Sequence, residues 1–475
     1  MEQFIKRVVD NLKLNRVEYG DVRVVEREIE LIIVKNGIIE TLTHITDTGF
    51  GVRVLKDSSW GFSSSNLITK EEADKVAKDA LSIAQASARV KSQDVRLSPV
   101  TPQKGTYSTK LKIDPMTVSL DKKIELLLKC DEIMGQDSKI KVRTSFLKFD
   151  KVKSHFASTD DSLLRQEMVF SGGAIKVFAV KNGELQSRSL GNYNQSGYEF
   201  IDTLDLANNA ERVRDEAVML LSAPSCPQMK TTVILDAEQM VLQVHESCGH
   251  PTELDRVFGT EASYAGTSFM TVDKLNKLEY GSEIVNIVAD ATTPGGLGTF
   301  GWDDEGVPAQ KVYLIKNGLF VGYLSSRETA SVINATSSGA MRADGWNRIP
   351  LIRMTNINLE PGTWNFEDMI ANTDSGVFMT TNKSWSIDDK RLNFQFACEL
   401  ARKIEKGKFT QVYKNPTYAG ITPQFWKSCD ALGNEKSRQL FGVPNCGKGE
   451  PGQTAFVGHS TVPARFRNLQ IGIAK

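Results

Sequence analysis

Cysteine is scarce. The 475 residues hold six (Cys130, Cys226, Cys248, Cys398, Cys429 and Cys446), scattered and without a C-x-x-C pair. That excludes a disulfide scaffold and fits a reducing compartment. An excess of one charge is lacking too, since 58 Lys+Arg balance 58 Asp+Glu. Nothing pulls the whole chain towards nucleic acid or an anionic membrane. No apolar run approaches the ~20 residues of a spanning helix. Met1-Glu-Gln-Phe-Ile-Lys-Arg lacks the apolar stretch of a signal peptide. The expectation is a cytoplasmic protein with neither nucleic acid nor membrane as partner. No G-x-S-x-G elbow occurs, which counts against a serine hydrolase. Solenoid repeats and low-complexity segments are absent, and histidine is down to five residues.

What is there is a globular composition, 40% hydrophobic and 24% charged, in a chain too long for one core. An amphipathic helix over residues 1–15 is followed by period-two runs from Asp21, with Asn36-Gly37 as a hairpin turn. Thr69-Lys-Glu-Glu72 is a capping box opening a helix that carries Val76, Ala77, Ala80 and Ala84. A polar stretch, Ser92 to Gln103, reads as a linker. A helix over Leu120–Met134, strands from Ile140 to Val180 and a helix over Leu206–Leu221 follow, and Ala223-Pro-Ser-Cys-Pro227 breaks the chain. Beyond it strands, turns and long loops predominate, with a further Asn-Gly hairpin within Val312–Val321. The predicted fold class is α+β, in three regions. Residues 1–92 form an N-terminal α/β region of strands flanked by a few helices. Residues 113–223 form a central α/β region packing with it, and 229–475 a region dominated by antiparallel β-sheet.

Two of the five histidines fall in one short stretch, His245-Glu246-Ser-Cys-Gly-His250-Pro251. Two imidazoles can each give a metal a neutral nitrogen, and a carboxylate beside them can take a proton from an attacking water. Asp236 is placed to cap the helix that delivers His245. The usual zinc-protease spacing is H-E-x-x-H, with both histidines on one helical face. Here the gap is five residues, which turns the second side chain ~140° away on a regular helix. A single π-bulge would restore the geometry. Alternatively the helix ends at Gly249 and His250 returns from outside it. Gly249 and Pro251 favour the second route. Two helix-terminal histidines without a metal are the alternative to both.

Other patterns carry less. Gly296-Leu-Gly-Thr-Phe-Gly301 matches G-x-G-x-x-G but runs into loop, where a dinucleotide site needs a helix. Asp303-Asp-Glu-Gly306 could offer hard oxygen ligands, and a charged turn is the preferred reading. His44 and His155 stand alone on strand-like stretches. Cys446 lies in a glycine- and proline-rich segment, Val443-Pro-Asn-Cys-Gly-Lys-Gly-Glu-Pro-Gly452, read as a loop.

Several segments, in order, resemble the TldD/PmbA metalloproteases over nearly the whole chain. They are Gly49-Phe-Gly-Val-Arg-Val54, His245-Glu-Ser-Cys-Gly-His250, Thr299-Phe-Gly-Trp-Asp-Asp-Glu-Gly306, Gly339-Ala-Met-Arg342, Pro350-Leu-Ile-Arg-Met-Thr-Asn356 and Asn445-Cys-Gly-Lys448. The resemblance implies one zinc per chain held by His245, His250 and Cys446, with Glu246 as general base. Because the family's sister branch lacks the motif, retention of all four residues resembles the catalytic, TldD-like branch. Pro251 departs from the glycine of better-known members. The resemblance further implies a homodimer, or a heterodimer with a related PmbA/TldE-like subunit, enclosing a cavity where a peptide binds as an extended strand.

The expected function is a zinc-dependent peptidase acting on unfolded or short peptides. Arg342 and Arg353 are candidates for gripping a peptide carboxylate, with surface salt bridges as the other explanation. Two further readings stand beside it: a dedicated maturation protease for a modified peptide or leader, working with a partner subunit, and a non-catalytic scaffold subunit stabilised by its metal.

Overall fold

A computed structural model describes residues 1–473. Its N-terminal half is built on one seven-stranded sheet. In spatial order the strands are Ser59–Ser65, Ile38–Lys56, Tyr19–Lys35, Ile140–Ser158, Leu163–Lys181 and Lys104–Ser108, with Glu184–Asn194 also pairing to Leu163–Lys181. The Asn-Gly turns join the antiparallel neighbours as their chemistry requires. Asn36 and Gly37, and again Asn182 and Gly183, all have positive φ, the conformation of a type I′ hairpin.

The central strands are long, at 17 residues for Tyr19–Lys35 and 19 for Ile140–Ser158. At ~3.3 Å per residue that is more than one helix pair can cover. Tyr19–Lys35 therefore serves two cores on one face. Val22 and Val24 pack under the helices Glu2–Leu14 and Lys70–Ser87 with Val8, Val76 and Ala80. Ile32 and Val34 pack under Leu120–Met134 and Leu206–Leu220 with Leu127, Val213 and Ala217. Regions 1–92 and 113–223 thus contribute strands to the same sheet.

The C-terminal half forms a second seven-stranded sheet. Its order is Ser375–Ile387, Met229–Leu235, Ala464–Ile473, Pro416–Ile421, Asn393–Glu405 and Lys408–Lys414, with Cys429–Leu432 also pairing to Ala464–Ile473. Pairing of Ser375–Ile387 back onto Asn393–Glu405 closes it into a barrel. Antiparallel pairing dominates, and the α+β class stands as expected. Trp426, Phe425, Phe466, Phe396 and Tyr418 fill the core.

The segment Asp303-Asp-Glu-Gly306 is a charged turn, as expected, but one with Asp303 and Glu305 buried. Asp303 accepts the backbone N–H groups of Glu305, Val307 and Met341, and Glu305 pairs with Arg53 of the first sheet. Both carboxylates are buried. The burial of two of these three acidic residues was not legible because the arginine that pairs with one of them lies 252 residues away.

Candidate metal centre

Asp236 closes the strand Met229–Leu235 and caps the helix Ala237–Val244, its Oδ1 accepting the N–H of Gln239 at 2.8 Å. Gln239 and Gln243 on this helix are fully buried, and Tyr418 joins them by hydrogen bonds of 3.0 and 3.1 Å. The helix does not end at Gly249. It passes into a π turn, His245–Gly249, and then a 3₁₀ turn, His250–Thr252. The N–H of His250 bonds the carbonyl of His245, an i to i+5 bond that adds the residue a four-residue spacing lacks. The favoured sequence reading is corrected accordingly. Gly249 is there for close approach, because a Cβ on it would lie 2.1 Å from the Met354 sulfur. Pro251 takes the second position of the 3₁₀ turn, which requires no amide hydrogen.

Cys446 lies on a strand, Gln439–Lys448, paired with Gln453–Thr461, and not on a loop. The ladder breaks between Val443 and Cys446, where Pro444 and Asn445 bulge out, and resumes at Cys446 opposite Ala455. Proline suits a position that donates nothing to the ladder.

This hairpin brings the Cys446 sulfur to 3.5 Å from His245 Nε2 and 3.7 Å from His250 Nε2. A tetrahedral zinc with one sulfur and two nitrogen ligands separates them by ~3.6 Å. The other ring nitrogens decide the tautomers. His459 Nδ1 bonds the carbonyl of Ile357 at 3.0 Å, so it carries the proton and Nε2 accepts from His245 Nδ1 at 2.9 Å. His245 is thereby left with a lone pair on Nε2. His250 Nδ1 donates to Glu253 at 2.9 Å, which frees its Nε2 in the same way. Three soft or borderline donors converge, each with its other contacts satisfied, and the set fits a zinc-like ion. Among the described residues no other group of His, Cys, Asp and Glu comes close enough to share an ion.

The electrostatics agree. Burial works against a charged Cys446, yet His245 and His250 hold its thiol well below the usual range. Burial alone would lower His250, but Cys446 and Glu253 push it up to about 9, so without an ion its Nε2 holds a proton towards the thiolate, and a metal would take that proton's place. Burial depresses His459 far below an ordinary histidine, which keeps it the neutral acceptor that His245 needs. Glu246 is 5% exposed. Burial raises its carboxyl, and the nearby His250, His245 and Arg391 more than offset this, leaving it low and ionised. Its Oε2 accepts from Arg391 Nη1 at 2.5 Å.

Around the donors runs a buried charged layer. Lys448 Nζ lies 3.2 Å from Glu253 and 2.7 Å from Asp255. Cys446 and Lys448 share one face of their strand, so a single edge supplies both the sulfur and the cation that steadies Glu253. Arg353, 1% exposed, donates to the carbonyls of Cys446 and Gln453. Arg342 donates to those of Phe456 and Met354. Both arginines therefore brace the ligand hairpin, and among the described residues neither makes a salt bridge.

Sequence reasoning missed His459, Glu253, Lys448 and Arg391. Glu253 follows His250 by three residues and Lys448 follows Cys446 by two, so both spacings were available. Nothing local marks His459 or Arg391. His44 pairs only with Glu28 on the first sheet, 2.9 Å away.

Known proteins place the chain. Three family models match it in order: PmbA/TldA metallopeptidase domain 1 over residues 20–84, the central domain over 113–221, and the C-terminal domain over 228–471. A metalloprotease of Methanocaldococcus jannaschii is 32% identical over 93% of this chain and 94% of its own. A zinc metalloprotease TldD homolog of Saccharolobus solfataricus is 22% identical over 91% of each chain. The solved structure of TldE from Thermococcus kodakarensis superposes with a TM-score of 0.76 at 17% identity, covering 99% of this chain and 100% of that one. By its matching domains and its archaeal relative, the chain belongs to the PmbA/TldD family of metallopeptidases.

Proposed function

We propose that the protein is a zinc-dependent peptidase whose ion is held by His245, His250 and Cys446, one per chain, with Glu246 as general base. The observation that carries this is the meeting of two oriented Nε2 lone pairs and a thiolate directly beside a buried, ionised glutamate. When bound, the ion would polarise the scissile carbonyl and make a water more acidic. Glu246 takes the proton of the attacking water and returns it to the leaving amine. Glu253 and His459 hold the two rings in the required tautomers. Region 229–475 is the catalytic unit of this reading, with 1–92 and 113–223 as the regions before it.

A cavity of about 120 Å³ opens beside the hairpin of Cys446. It is lined by Pro444, Ala455 and Phe456 on the hairpin and by Arg23, Phe170 and Phe300 across from it. None of His245, Glu246, His250 and Cys446 lines it, so it is a space next to the site and not the site itself; the substrates of this reading are short or unfolded peptides. In this reading the protein is cytoplasmic and works as a two-chain assembly, either with a copy or with a related TldE-like subunit. The test is metal analysis of the wild type beside Cys446→Ser and Glu246→Gln. The expected result is one zinc in wild type and Glu246→Gln, little in Cys446→Ser, and peptide cleavage by the wild type alone. Full metal in Cys446→Ser would sink the ligand set.

A further inference from the structure

The charge that develops on a substrate carbonyl needs a donor, and the turn that faces Glu246 carries one. Residues Asp388 to Asn393 join the strands Ser375–Ile387 and Asn393–Glu405. The turn is fixed from several sides. Asp388 accepts the N–H groups of Leu392 and Asn393. The carbonyls of Asp389, Lys390 and Arg391 accept from Arg256, Phe269 and Thr422. Gly266 is packed so closely under Asp389 that a Cβ would lie 2.4 Å from it. Arg391 itself has φ +64°, a left-handed conformation that a non-glycine residue holds only where its surroundings impose it.

The arginine so placed is underused. Its one side-chain hydrogen bond among the described residues goes from Nη1 to Glu246 Oε2, at 2.5 Å. Its Nε is shut off from solvent with no partner, and its side chain is 15% exposed. A half-buried guanidinium with its Nε shut off and unmet carries a cost unless something arrives to meet it. An arginine needed only to balance Glu246 would not require such a donor.

We propose that Arg391 is a further catalytic residue, one that hydrogen-bonds the carbonyl oxygen of the scissile peptide as that oxygen becomes negative. This rests on the peptidase reading above. The balance of charge supports it. As water adds, its O–H bond breaks and the proton passes to Glu246, whose charge vanishes. The new C–O bond pushes the carbonyl π pair onto oxygen, where an equal charge appears. Arg391 loses one counter-charge as the other forms within reach, and its rigid turn needs no rearrangement to follow it.

The experiment compares wild type, Arg391→Gln, Arg391→Lys and Glu246→Gln in the full-length protein. It uses one short peptide with a free and with an amidated C-terminus, and a phosphinic analogue of that peptide as a mimic of the tetrahedral state. Arg391→Gln is expected to retain its metal and to lose ~10²- to 10³-fold in kcat on both peptides, with KM within about threefold. Its affinity for the phosphinate should fall by the factor lost in kcat/KM, and Arg391→Lys should recover part of both. Glu246→Gln should keep its phosphinate affinity, which separates contact with the substrate from action through Glu246. Unchanged kcat, loss of metal, or a defect confined to the free-acid peptide would each overturn the proposal. The last would make Arg391 a grip for the chain terminus. A metal-loaded wild type that cleaves neither peptide would sink the peptidase reading first, and this one with it.

Discussion

His459 decides which nitrogen of His245 is free, although it is 214 residues away in sequence. Its own proton is committed to the carbonyl of Ile357, so it can only accept, and His245 can only donate through Nδ1. Glu253 does the same for His250 by a different means, with a charge steadied by Lys448. Orienting partners of this kind typically contribute 10–100-fold in metal affinity. Glu253→Gln should therefore bind zinc about 10–100-fold more weakly in a chelator competition, while its circular dichroism stays that of the wild type. Equal affinity in the two proteins would show that the ring is held by packing alone. At this scale the sequence was legible in one place. His245, Glu246 and His250 fall within six residues and announce their chemistry. Cys446 entered only by resemblance, and His459 sits on a strand where no periodicity or motif distinguishes it from a packed core residue.

The π turn His245–Gly249 shows why local punctuation misled. Gly249 and Pro251 are both helix-terminating residues by habit, and together they argued for an end. The hydrogen bond from His250 to His245 is local and was one of the two routes open, but the contact of Gly249 with Met354, which sets what Gly249 is for, comes from a distant segment and is invisible in a window of ten residues. If close approach is the role of Gly249, then Gly249→Ala must move either the turn or Met354. A destabilisation of about 1–3 kcal/mol follows, as for overpacking in a tight core, together with weaker zinc binding as His250 shifts. The urea midpoint and a chelator titration check the two effects, and a neutral outcome in both would remove the constraint. The strands were easier to foresee. The Asn-Gly turns at 36–37 and 317–318 form as read, and 182–183 makes a third, because positive φ at consecutive residues is a local property of that dipeptide.

Two ion pairs, Arg23 to Asp304 and Arg53 to Glu305, and a hydrogen bond from Arg188 to Glu399 fasten the first sheet to the C-terminal half. None could be read in sequence, since each joins residues far apart in the chain. Burial pushes the Glu399 carboxyl from 4.5 up to about 7, although Arg188 and Ser189 pull it down. The folded state thus holds a proton that the unfolded chain releases. Stability contributed by this group is full below about pH 4.5, falls as pH rises from there, and is spent by about pH 7. The shift of roughly two to three units corresponds to a loss on the order of 3 kcal/mol. Urea unfolding at pH 5 and 7.5 should show the wild type losing more over that interval than Glu399→Gln. Parallel losses would acquit Glu399.

The centre draws its nitrogen donors from the middle of the chain and its sulfur from a hairpin near residue 446. During translation the histidine turn emerges roughly two hundred residues before the hairpin that completes it. If the centre is the peptidase site proposed above, an incomplete nascent protein carries no finished one, and its own unfolded segments would be spared until synthesis is nearly over.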